Sequence, residues 1–191
     1  MGRALGQPNS GFRAEFLEEI AYYEQRLARL AEAIPAEKYT WRPAEGVRSV
    51  GEVFAHVAVA DYLVGRTLTP LPPGATYGVD NKTIAKTTMA LSGDKAKLLQ
   101  DLANSFGSLK FAVLQLNDSD ADKLQDIFNR HTTLRGSFLA ITGHLGEHLG
   151  QSMAYARMNG VVPPWTEEFQ QQQQKAADKP KPLFFGGFCC H

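Results

Sequence analysis

The chain has 191 residues, of which 20 are basic and 20 acidic, so its formal charge is zero. That length fits one domain able to bury a real core. The even balance, with no run of five or six like charges, excludes the basic surface that nucleic acid or an anionic membrane requires.

The opening "MGRALGQPNSG" reads as a flexible N-terminus over residues 1–10. It has no apolar stretch of the kind a signal peptide carries. The expected compartment is therefore the cytoplasm, or the outside if a leader preceded this sequence. From 11 to 34 the apolar residues Phe12, Phe16, Ile20, Tyr23, Leu27, Leu30 and Ile34 recur at steps of three and four. This is one face of a helix, and Pro35 ends it. The loop "AEKYTWRPAEGVRS" follows. Ser49 and Glu52 then form a capping box at the head of a second helix, which runs to about 68 with Val53, His56, Ala60 and Leu63 on one stripe.

Residues 69–91 break this pattern with "TPLPPGATYG" and read as a long crossover holding a short helix at best. A third helix is predicted over 94–116, with Leu98, Leu102, Phe106, Leu109 and Val113 along one side. After the turn-rich "NDSDADK", residues 124–133 carry no clear pattern and no strand is predicted. A fourth helix spans 133–159, closed by Gly160, and Pro163 and Pro164 forbid its continuation. Residues 166–191 read as a short polar helix, containing the glutamine run, and a tail. Cys189, Cys190 and His191 end that tail. Adjacent cysteines are poorly placed to pair with each other, so no disulfide framework is expected. The longest apolar runs fall far short of the ~18–20 residues that span a bilayer. The fold class is all-α: a four-helix bundle over 11–165, with a long crossover between helices two and three.

Of the five histidines, His144 and His148 lie one turn apart, about 40° from each other around the helix axis. Their imidazoles can approach one cation together. Spacing alone leaves two readings open, a metal site or two satisfied core histidines. His56 bears on the choice, because a polar ring on an apolar stripe costs ~1–3 kcal/mol if it finds no partner. Helix bundles build metal sites from such inward rings, and three imidazoles leave a position open for water or substrate. "HLGEH" also matches the H-x-x-E-H signature of a peptidase family. That signature requires a further downstream ligand, which only Glu167 or Glu168 offers with a carboxylate of that length. Glu147 reads more simply as a rim residue, or as one that orients a ring. Gln151 either bonds a ligand on the metal or is a buried amide. Tyr155 and Trp165 read as packing, and His131 as a surface residue.

Three segments resemble the DinB-like family, the DinB/YfiT-like superfamily of metalloenzymes, over about 12–165. They are "IPAEKYTWRPAEGVRSVGEVFAHVAVADY", "HLGEHLGQSMAYARMNG" and "VVPPW". The resemblance implies a four-helix bundle with a divalent ion held by His56, His144 and His148. Zinc or nickel is the expected ion, with iron and manganese as alternatives. Gln151, Glu147 and Tyr155 are expected beside it or on the substrate. Characterised relatives include a mycothiol-dependent isomerase and bacillithiol transferases. The implied function is therefore a metal-dependent enzyme acting on a small-molecule substrate, with a low-molecular-weight thiol as its nucleophile. The alternative is a bundle that binds a small ligand or partner without turnover, its metal site structural or vestigial. A homodimer is compatible with either, and neither nucleic acid nor membrane is expected as a partner.

Overall fold

Six helices and one hairpin make up the described part of the chain, residues 10–68 and 80–177 of a computed structural model. Helix α1 is Phe12–Ala33 and α2 is Val50–Leu68. The short α3 is Asn81–Met89, α4 is Lys95–Leu114, α5 is Leu134–Met158 and α6 is Pro164–Ala177. The four long ones, α1, α2, α4 and α5, are the helices that the apolar period predicts. They pack as a ring in which α1 and α2 each touch both α4 and α5. The stripe residues Ile20, Leu27, Leu30, Val53, Leu98, Leu102, Phe106, Leu109, Ile141 and Leu145 fill the interior.

Helix ends follow the sequence signals. The Ser49 backbone N–H donates to Glu52 Oε2 at 2.7 Å and the Glu52 N–H donates back to Ser49 Oγ at 3.3 Å, a complete capping box. Asp94 accepts from the Lys97 N–H, and Thr133 from the Gly136 N–H. At the other end of α5, Gly160 takes φ +76°, and the N–H groups of Gly160 and Val161 bond the carbonyls of Arg157 and Ala156. Both bonds of a Schellman ending are present.

The loop before α2 is tied down by its backbone, with the Val50 N–H donating to Trp41 O and the Gly51 N–H to Tyr39 O. Gly51 is required by a close approach. A Cβ there would lie 1.8 Å from the carbonyl oxygen of Ser92, in the turn between α3 and α4. This contact anchors the start of α2, the helix that carries His56.

One expectation is corrected. Residues 124–133, where no strand is predicted, form an antiparallel hairpin of β1 (Leu124–Ile127) and β2 (Arg130–Thr133). Its two turn residues, Phe128 and Asn129, both have positive φ, at 47° and 59°. Primed two-residue turns require this backbone and normally recruit Asn or Gly for it. Pro163 and Pro164 do end α5, and Pro164 then serves as the first residue of α6, where its missing N–H costs nothing. Helix α6 docks on α1 through the Arg29–Glu168 ion pair and the Arg26 guanidinium over the Trp165 ring. The crossover residues 69–79, the first nine residues and the Cys189–Cys190–His191 tail lie outside the described part.

Candidate metal centre

His56 points from the second turn of α2, and His144 and His148 from successive turns of α5. Small residues beside the rings, Ala60 on α2 and Ala140 and Gly143 on α5, border an adjoining cavity. The three rings converge. Centroid separations are 5.1 Å for His56–His144, 4.7 Å for His56–His148 and 4.4 Å for His144–His148. Each ring offers one nitrogen within 4.8 Å of the other two, and His144 Nε2 lies 3.2 Å from His56 Nε2. No carboxylate joins this group among the described residues.

The His56 and His144 rings are neutral at physiological pH. Burial, with the Arg48 charge and then His148 adding to it, pushes His56 down to about 4. Burial first, then His148, His56 and Arg48, pushes His144 down to about 3. Desolvation disfavours the imidazolium in both, which leaves lone pairs available to a cation.

Side chains further along α5 set the orientation of His148. Its Nδ1 lies 2.9 Å from Gln151 Oε1, and the Gln151 amide donates to the Tyr155 hydroxyl at 3.0 Å. An amide oxygen can only accept, so the His148 proton sits on Nδ1 and Nε2 is its free ligand atom. Tyr155 is held in turn by Trp41, edge to face at 5.5 Å. The "WRP" loop thereby supports the His148 ring, seven positions upstream of Tyr155. His144 is held differently. Its Nδ1 is buried with no hydrogen-bond partner among the described residues, and the Phe128 ring stacks on it at 5.4 Å.

Three imidazole nitrogens suit a borderline-soft dication. The separation of 3.2 Å between two of them is close to the ligand–ligand edge of ~3.3 Å of a tetrahedral ion bound at ~2.0–2.1 Å. The donor set therefore fits a divalent metal. A cavity of about 550 Å³ adjoins it, walled by Val59, Ala60 and Leu63 of α2, Phe128 and Arg130 of the hairpin, and Leu139, Ala140, Gly143 and Glu147 of α5, with His56 and His144 at its surface.

A sequence profile of the DinB superfamily matches residues 20–152, a span that includes all three histidines. The chain belongs to the DinB superfamily. Two solved DinB-like proteins share the fold. One, from Bacillus cereus, aligns with a TM-score of 0.59 at 19% identity, covering 78% of this chain and 93% of its own. The other, from Bacillus subtilis, gives 0.54 at 19% identity, covering 78% and 94%. At this identity they speak for the DinB bundle alone. No curated protein matches the chain in sequence.

Of the other residues singled out from the sequence, Gln151 and Tyr155 belong to the network behind His148, and Glu147 is exposed on the cavity wall. His131 is exposed and bonded to Asp126 across the hairpin, away from the cluster. Glu168 is engaged by Arg29, and neither it nor Glu167 joins the histidines, which removes the peptidase reading of "HLGEH". Sequence reasoning missed Phe128, Arg130 and Arg48. The first two sit on a hairpin whose turn carries no glycine signal. Arg48 precedes the capping box in a loop whose path the sequence does not show.

Proposed function

We propose that the chain is a divalent-metal-dependent enzyme of thiol chemistry, an S-transferase or isomerase, with its ion on His56, His144 and His148. The observation that carries this reading is the convergence of three imidazoles, two of which, His56 and His144, border a cavity. Three protein ligands, not four, are the arrangement of a catalytic site that keeps a position open. Zinc or nickel suits the donors best, and iron or manganese is the alternative. When bound, such an ion supplies uncompensated positive charge that favours a thiolate over its thiol. The chain's own residues do the rest. Gln151 and Tyr155 fix the tautomer of His148. Val59 and Leu63 give the cavity apolar lining on the α2 side, with the partly exposed Phe128 and Leu139 opposite. Glu147, exposed at the rim, offers a carboxylate to take up the proton that a thiol releases.

The test is a thermal-shift comparison of protein purified without a histidine tag, loaded with zinc, against small thiols and their hydroxyl analogues. Stabilisation by 2-mercaptoethanol or cysteine, with none by ethylene glycol or serine, is the expected result. Equal response to both sets would reject thiol chemistry and favour a bundle that binds ligands without turnover.

A further inference from the structure

We propose that the substrate of this cavity carries a carboxylate at the end of an apolar body, and that Arg130 of β2 is the residue that binds it. The inference rests on the reading of the cavity as a substrate site and names the class of molecule that enters it. Arg130 and the histidines His56 and His144 border one and the same cavity. Phe128, two residues before Arg130, lies against the His144 ring, so the hairpin tip that carries the guanidinium is held close to the cluster.

The arginine is available. Arg13, Arg29, Arg42 and Arg135 each hold a carboxylate, on Asp118, Glu168, Glu52 and Asp122. Arg130 has no ion pair or hydrogen bond to its side chain among the described residues. The acidic residue closest to it on the hairpin, Asp126, is taken by His131 at 2.8 Å. Glu147 shares the cavity wall with Arg130 but makes no ion pair with it. The same cavity is also lined by the aliphatic and aromatic side chains of Val59, Leu63, Phe128 and Leu139. An exposed guanidinium and half-buried imidazoles on one cavity that also has apolar lining match a molecule with an anionic end, an apolar body and a reacting head. The planar five-donor fork of arginine suits a carboxylate in two-point contact.

The experiment compares hexanoate with 1-hexanol, by isothermal titration, on the protein as purified and on Arg130→Gln and Arg130→Lys. Arg130→Gln should weaken hexanoate about tenfold and leave hexanol unchanged, since a charge-assisted contact is lost and the apolar wall is not. Arg130→Lys should keep part of the hexanoate affinity, because it retains the charge without the fork. Arg157→Gln, at the far end of α5, should change nothing. If Arg130→Gln binds hexanoate as the parent does, or loses both ligands equally, the proposal is overturned. Metal content, measured on the same samples, tests the ion separately: its absence from parent and variant alike counts against the three-histidine site and leaves the hexanoate comparison standing.

Discussion

His56 Nε2 and His144 Nε2 lie 3.2 Å apart across the α2–α5 interface, although 88 residues separate them in sequence. Partly buried as they are, neither ring gains a proton easily. His56 is held down to about 4 and His144 to about 3, against 6.5 in an unfolded chain, mainly by burial. The stability contributed by a depressed histidine is present above the unfolded value and is lost as pH falls through the folded one. Metal-free protein should therefore lose stability as the pH drops from about 6.5 towards 4.

Asp61 opposes this trend. It is fully buried, one oxygen has no partner and the other accepts from Ser105 at 3.3 Å, and burial raises its pKa well above 3.8. Its neutral form is the one the fold prefers, so its contribution is present at low pH and is lost as pH rises through the folded value. Asp61→Asn should steepen the acid-side loss caused by the histidines. Urea denaturation at several pH values checks both: a parent stability that rises on acidification below 6.5 would contradict the first, and an acid-side loss no steeper in Asp61→Asn would contradict the second.

The Gln151 amide fixes which nitrogen of His148 carries the proton. Gln151→Met removes the acceptor at nearly constant volume and should weaken zinc binding ~10–100-fold, the usual effect of removing a group that orients a ligand histidine. Tyr155→Phe should cost less, because Gln151 keeps its bond to the ring. Competition with a chromogenic chelator measures both, and unchanged affinity in Gln151→Met would mean that packing alone orients His148.

Gly51 and Gly107 should respond oppositely to alanine. At Gly51 the added Cβ meets backbone oxygen at 1.8 Å, so Gly51→Ala should destabilise the protein by at least ~1–3 kcal/mol, as overpacking does. At Gly107, inside α4, it meets nothing within 4 Å, and Gly107→Ala should stabilise by up to ~1 kcal/mol. Chemical denaturation of the two variants reads the signs.

The helices were legible because apolar steps of three and four, with the capping box at Ser49 and the breaks at Pro35, Gly160 and Pro163, encode the faces and several of the ends. The histidine cluster was legible for a related reason. A polar ring on the stripe of Val53 and Ala60 needs a partner inside the bundle, and His144 and His148 share one face of α5. Gln151 and Tyr155 could be placed on that face by spacing, but the direction of their hydrogen bonds could not. The hairpin stayed hidden because its strands are four residues each and its turn is Phe-Asn, where positive φ is tolerated and not advertised. Phe128 and Arg130 went unseen with it.

The central claim is that His56, His144 and His148 hold a divalent ion. Metal analysis of protein purified without a histidine tag, combined with zinc titration followed by melting temperature, tests it most directly. The account predicts about one ion per chain, a melting temperature that falls on chelation and recovers with zinc, and a His144→Ala variant that stays helical by circular dichroism but no longer responds to zinc. A parent protein that holds no ion and melts at the same temperature with or without zinc, beside a His144→Ala variant that unfolds, would contradict it and make the three rings core residues.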